Sequence, residues 1–221
     1  MTERRLNSND RTALPDGWQR RPLGQCADFL SGSTPSLSNA SFWSGEFPWV
    51  TARDMKALRI DSTARRISEL GRAVTAVAPP RSVLVLTRGM TLFKDLPVCI
   101  TEREMAFNQD VKALIPAPDL DASFLAYQLL ANKREILKMV NTAGHGTGRL
   151  DTQLLKEFSF IFPPLPEQRR IARILSTWDR ALVNTERLMD KLHAEKSALM
   201  TDLLTGTRRV AVRQKEPIGA A

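Results

Sequence analysis

From Glu167 to about Leu204 the chain carries neither glycine nor proline, directly after Pro163-Pro164-Leu165-Pro166. A stretch this long without a breaker is expected to fold as one helix, and Pro166 suits its first turn, where no intrahelical bond is lost. Apolar or tolerated residues recur every seven positions at Ile171, Trp178, Thr185, Leu192 and Leu199. Ile174, Leu175, Ala181, Leu182, Leu188, Met189 and Leu203 flank that stripe, which reads as a coiled-coil seam with faults at Thr185, Glu195 and Asp202. Gly206 is placed to stop the helix. About 38 residues at about 1.5 Å each give a helix of about 57 Å. A globular part of about 150 residues, with a radius of gyration near 15 Å, is only about 40 Å across. The helix is therefore expected to protrude, and its stripe to need a second helix. The alternative is a break near Asn184–Thr185 and a folded-back hairpin.

Residues 14–165 read as one mixed α/β domain. Short apolar runs at Ser82–Thr87, Pro97–Thr101, Val111–Ile115 and Phe158–Phe162 suit strands. Asp121 is placed to cap a helix in which Phe124, Leu125, Gln128, Leu129, Ile136 and Val140 keep a 3.6-residue spacing, ended by Asn141 and Gly144. A short helix is expected after Ser68, with Glu69 in its first turn. Residues 1–13 and 205–221 are polar or small-residue tails and are expected to be poorly ordered. The fold class is α+β: a globular domain over 14–165, a long helix over 166–204 for association, and a basic tail.

At 43% hydrophobic and 25% charged residues, wholesale disorder is excluded. The net charge of +8 favours an acidic partner such as nucleic acid. The excess is uneven: from Arg53 to Arg88 there are eight basic residues and only Asp54, Asp61 and Glu69 to oppose them, a first candidate for a phosphate-facing surface. No run reaches the length of a membrane span and the N-terminal stretch lacks a signal-peptide core, so a cytoplasmic protein is expected. Cys26 and Cys99 show no metal spacing and read as reduced core thiols.

Catalytic signatures are missing. The nearest approach to a nuclease site is Asp16 with Asp54-Met55-Lys56, a spacing common in any charged chain. His193 falls on the long helix and reads as solvated. His145 stands alone between glycines, and no nucleophile elbow or phosphate-cradling loop is present. The glycine-rich segment Ala143–Arg149 either brings backbone close to a surface, with His145, Thr147 and Arg149 as donors, or is a flexible connector between helices. Thr87-Arg88-Gly89 similarly suits a turn that aims a guanidinium at DNA. Phe42, Trp43, Phe47 and Trp49 could stack on bases, but such clusters are more often packing.

Several features occur in a telling order: Leu14-Pro15-Asp16-Gly17-Trp18, Arg21-Pro22-Leu23-Gly24, Gly32-Ser33-Thr34-Pro35, Phe42-Trp43 with Gly45, and Pro48-Trp49-Val50-Thr51 before Asp54. Phe107-Asn108-Gln109 follows, then Leu154–Phe162 running into Pro163-Pro164-Leu165-Pro166-Glu167-Gln168. Over about residues 14–205 the chain resembles the specificity subunits of Type I restriction-modification systems. The resemblance implies a target recognition domain that reads half of a split DNA sequence, and a spacer helix that docks methyltransferase subunits. Full-length members carry two such units with antiparallel helices, whereas this sequence has one. A half-sized subunit is therefore expected, homodimerising through 167–204 and reading an interrupted palindrome.

Gly32, Thr34, Pro35, Trp43, Trp49, Asn108 and Gln109 match the family pattern. Charge and loop chemistry point to Arg53, Lys56, Arg88, Lys94, His145, Thr147 and Arg149 for DNA contact. Ile171, Ile174, Leu175, Trp178, Leu182, Leu188 and Leu192 are the expected dimer or methyltransferase contacts. No cofactor is expected on this chain. S-adenosylmethionine, with ATP and magnesium in a restricting system, would sit on methyltransferase and restriction or translocase subunits. The competing reading is a non-catalytic coiled-coil adaptor that does not recognise a DNA sequence.

Overall fold

The computed structural model describes residues 14–143 and 146–211. The chain divides into two compact units, Met1–Ala172 and Arg173–Ala221.

In the first unit β1 (Gln19–Pro22), β2 (Ala27–Ser31) and β3 (Phe47–Val50) precede two short strands, β4 (Arg59–Ile60) and β5 (Arg66–Ile67). Helix α1 (Glu69–Ala73) leads to β6 (Val77–Ala78), β7 (Val83–Leu86) and β8 (Arg88–Gly89). Next come β9 (Val98–Thr101), β10 (Met105–Phe107), β11 (Val111–Pro116), α2 (Ala122–Ala131) and α3 (Lys133–Leu137). The unit closes with β12 (Val140–Thr142), β13 (Gly148–Leu150), α4 (Thr152–Glu157) and β14 (Ser159–Phe162). Helix α5 (Leu165–Leu204) begins here and continues into the second unit.

The core is a five-stranded sheet in the order β2-β11-β7-β9-β4. β7 and β9, Val-Leu-Val-Leu and Val-Cys-Ile-Thr, are buried at every position, which is why they read as unbroken apolar runs. Helix α2 packs on β7, β9 and β11. A second, four-stranded sheet runs β5-β3-β10-β6, and a three-stranded one runs β12-β13-β8. β1 and β14 pair antiparallel, Gln19 opposite Phe162, so the start of the domain is tied to the strand that feeds α5. The four strands expected from apolar runs are all present, as is α1, whose Ser68 hydroxyl accepts from the Gly71 amide at 3.1 Å.

One expectation fails. The helix projected from Asp121 to Val140 starts as expected, with the Asp121 carboxylate accepting from the Ser123 and Phe124 amides. It ends at Ala131, where the Asn132 side chain donates to the Gln128 carbonyl at 2.8 Å. A short polar side chain that bonds backbone in this way competes with helix continuation. Beyond α3, Val140–Thr142 is a strand because Gly148–Leu150 offers it a ladder. The glycine-rich segment therefore follows a strand that pairs with Gly148–Leu150 and does not connect two helices.

α5 begins where Pro163-Pro164 ends, and the Glu167 and Gln168 amides both donate to the Pro164 carbonyl. Gln168 is 1% exposed and its amide is fully engaged. Oε1 accepts from the Asp121 amide, while Nε2 donates to the carbonyls of Asp119 and Pro163. Ala172 is buried in the core and Ile171 packs half-buried against it. In the second unit the helix runs through Asn184–Thr185 unbroken, so the hairpin alternative is overturned. Thr185 is accommodated because its hydroxyl donates to the Ala181 carbonyl at 2.9 Å. Gly206 follows with φ +74°, a conformation that stops a helix and that glycine adopts freely. Among the described residues no helix is long and apolar enough to cross a membrane.

Candidate nucleic-acid interface

Phe107-Asn108-Gln109-Asp110, between β10 and β11, draws four chain segments together. The Phe107 carbonyl accepts from the Ser33 amide at 3.0 Å, and the Asn108 amide donates to the Val50 carbonyl at 3.0 Å. Gln109 Oε1 accepts from the Thr34 hydroxyl at 2.6 Å. The Asp110 carbonyl accepts from the amides of Thr87 and Arg88 at 2.7 and 3.2 Å, and from the Thr87 hydroxyl at 3.0 Å. The Leu150 amide then donates to the Thr87 carbonyl, which brings in β13. Gly32 lies so close to this hub that a Cβ there would sit 2.2 Å from the Asn108 carbonyl oxygen. Trp49 Nε1 donates to the Ser33 carbonyl, and Trp43 meets the Trp49 ring edge-on at 5.0 Å. Phe47 and Trp49 are buried in a small core with Ile67 and Ala106, so these aromatics pack the domain instead of presenting faces for stacking.

The hub sets the loops that carry the candidate cations. Arg53 sits in the turn after β3, exposed. That turn is built by Asp54, whose Oδ2 accepts from the amide and hydroxyl of Thr51 and whose Oδ1 accepts from the Ala64 amide. A carboxylate held by three donors is a structural brace, and the nuclease reading loses its central residue. Among the described residues no group of three or more His, Cys, Asp or Glu could hold a metal ion.

Arg88 and Arg149 stand directly opposite each other in the antiparallel ladder between β8 and β13, both exposed. Asn141 of β12 lies opposite Arg149 on its other side and is exposed too, a position that sequence reasoning missed because the helical period was carried through Val140. Thr147 is half-buried, and its carbonyl accepts from the Ala143 amide at 2.7 Å. His145 lies outside the described residues. Lys56 and Lys94 are exposed on separate turns, and nothing in the hydrogen bonding joins them to the arginine ladder.

The basic stretch from Arg53 to Arg88 is not a single surface. Arg59 pairs with Glu102 at 2.5 Å, Arg66 with Glu46, Arg72 with Glu104 at 2.7 Å, and Arg81 with Asp121 at 2.9 Å. Arg72 also lies over the Phe47 ring at 4.5 Å. These four cations are engaged within the fold. Arg53, Lys56, Arg65 and Arg88 have no ion pair among the described residues, Arg65 lying over Trp43 at 5.6 Å. The cations without an ion pair thus lie on the turn after β3, just before β5 and on β8.

Nearby, Lys112 Nζ donates to the Ser31 hydroxyl at 2.7 Å. Burial, and then the Lys156 ammonium, hold this lysine below its ordinary range. Both cysteines are buried free thiols, and burial pushes the Cys99 thiol up to about 12.

On α5, Ile174, Leu175, Trp178, Leu182, Leu188 and Leu192 are all exposed, Trp178 by 67% and Leu182 by 60%. Ile171 departs from the expected seam, since it is occupied by the domain's own core.

Residues 15–193 match the family described as Type I restriction modification DNA specificity domain. The chain is 28% identical over 162 residues to the EcoR124I/EcoR124II specificity subunit of Escherichia coli, covering 72% of this chain and 40% of that protein. It is 26% identical over 204 residues to the MjaIX specificity subunit of Methanocaldococcus jannaschii, covering 89% and 45%. A solved structure of a type I R-M system superposes with a TM-score of 0.68 at 25% identity, over 86% of this chain and 45% of that one. The HsdS subunit from Thermoanaerobacter tengcongensis shares the fold, with a TM-score of 0.59 at 22% identity over 88% and 46%. The chain thus spans less than half the length of the relatives it matches.

Proposed function

We propose, since this chain belongs to the Type I restriction-modification DNA specificity family, that it is a non-catalytic recognition subunit reading one half-site of a split DNA sequence. The observation that carries this reading is the Arg88–Arg149 ladder. Like charges directly opposite in a sheet destabilise it, so a fold that keeps two unpaired guanidiniums side by side is arranged for an anionic partner. Arg53, Lys56, Lys94, His145 and Thr147 are further DNA contacts in this reading, chosen on their charge and donor chemistry. Residues 14–165 do the reading and residues 166–204 the assembly.

Two copies associate through the exposed apolar face of α5. One specificity-family segment spans residues 15–193, and in this reading a second copy brings a second reading domain. Exposed large apolar side chains along one helix, Ile174, Leu175, Trp178, Leu182, Leu188 and Leu192 among them, need cover, and a second copy offers the same stripe. Two-fold symmetry then makes the site an interrupted palindrome whose spacer is set by the helix. Methyltransferase subunits dock on the same helices and bring S-adenosylmethionine; in a restricting system a translocase subunit brings ATP and magnesium chemistry.

The test is light scattering across a dilution series, on the wild-type chain and on a Trp178→Asp, Leu188→Asp variant, with duplex binding measured at several salt concentrations. A dimer that the double substitution dissociates, and DNA affinity that falls steeply with salt, are the expected results. A monomer at every concentration overturns the homodimer. A dimer without DNA selectivity supports the adaptor reading instead.

A further inference from the structure

Asn141, Arg149 and Arg88 form one row across the sheet β12-β13-β8, each directly opposite the next. Residues opposite one another in neighbouring strands share a face. For this row the face is open: all three are exposed, whereas Gly148 and Leu150, which flank Arg149 along β13, are buried on the other side. Strands lie about 4.8 Å apart, so the row extends about 10 Å from Asn141 to Arg88. Base pairs stack at about 3.4 Å, so that length covers about three base-pair steps, and it fits a major groove about 12 Å wide.

The residue types are as specific as the spacing. A guanidinium fork matches the O6 and N7 acceptors of guanine, and a carboxamide matches the N6 donor and N7 acceptor of adenine. Neither arginine has an ion pair among the described residues, so both forks are available. Their backbone is fixed from beneath, because the Asp110 carbonyl holds the Arg88 amide and the Thr87 carbonyl holds the Leu150 amide. Side chains on a braced ladder keep their mutual spacing better than side chains on a free loop.

We propose that this row is the base-reading element of the domain, with Arg149 and Arg88 each taking a guanine and Asn141 an adenine within about three consecutive base pairs of the half-site. The inference rests on the DNA-reading function proposed above and goes further, since it names the positions that decide sequence and the bases they decide.

The experiment selects from a pool of random DNA duplexes with the full chain, in parallel for wild type, Arg149→Lys and Asn141→Ala. Arg149→Lys keeps the charge and the fold but loses the bidentate fork. Wild type is expected to select a motif containing guanine and adenine positions. Arg149→Lys is expected to lose preference at one guanine by about tenfold or more, and Asn141→Ala at one adenine, with affinity for random duplex and its salt dependence nearly unchanged. A motif that survives both substitutions overturns the row. So does an Arg149→Ala variant that weakens all sequences equally and lowers the salt slope by about one, the signature of a phosphate contact. If the wild type selects no motif, the DNA-reading function fails and the row with it. Thermal melting of each variant separates these outcomes from loss of the fold.

Discussion

The side-chain oxygen of Gln168 accepts the backbone amide of Asp121 at 2.9 Å. Asp121 caps α2, is paired with Arg81, and so links the helix over the central sheet to the first turns of α5. The Pro-Pro-Leu-Pro-Glu-Gln segment thereby acquires a physical role: prolines aim the chain, and the glutamine amide anchors it to two carbonyls and one amide.

Gln168→Ala leaves those three groups without partners at a site that excludes water. Loss of about 2–4 kcal/mol in unfolding free energy by urea denaturation is expected. Gln168→Glu should cost at least as much, since a carboxylate turns acceptors toward the carbonyls of Asp119 and Pro163.

Removing one guanidinium of the Arg88–Arg149 ladder should stabilise the unliganded domain while weakening DNA binding. Arg88→Leu is expected to gain up to about 1 kcal/mol at low salt, with the gain shrinking as salt screens the repulsion. Melting curves at two ionic strengths check it, and a variant less stable at low salt contradicts the reading of the ladder.

At Gly32 a side chain would meet the Phe107 and Asn108 carbonyl oxygens at 2.4 and 2.2 Å, and backbone cannot yield as a flexible side chain can. Gly32→Ala should displace the hub that sets Arg88. A loss of more than about 2 kcal/mol, or a failure to fold, is expected in chemical denaturation.

Cys99 is held neutral by burial, its thiol pushed up to about 12, and burial also pushes the buried Cys26 thiol up. A thiol-specific reagent at pH 8 should label neither cysteine in the folded chain and both in urea. Prompt labelling of the native protein would contradict the packing.

Lys133 bonds the Asp95 carboxylate and holds it below the ordinary range. A depressed carboxylate contributes stability above its unfolded value and loses that contribution as pH falls through its folded value. Wild type should therefore exceed Asp95→Asn by less than about 1 kcal/mol at pH 7, because the pair is exposed. The difference should shrink as pH falls through the folded value, which paired unfolding curves at pH 7 and in a series of acid buffers would detect.

By itself the sequence determined the elements that depend on local pattern. β7, β9, β11 and β14 are apolar runs, Ser68 and Asp121 are side-chain caps, and α5 is a breaker-free heptad that Gly206 ends. Each follows from the conformational preferences of a few neighbouring residues. What only the tertiary structure decided is which distant residues meet. Val140–Thr142 abandoned the helical period because Gly148–Leu150 provided a ladder, and that ladder placed Asn141 beside Arg149 and Arg149 beside Arg88. Likewise, eight cations of one stretch were divided by acids far along the chain, Glu102 and Glu104 among them, into those spent on the fold and those left free. Pairing such as Arg88 with Arg149 across a sheet, or Arg59 with Glu102 in an ion pair, is set by the packing of the whole domain, and no window of local sequence contains both partners.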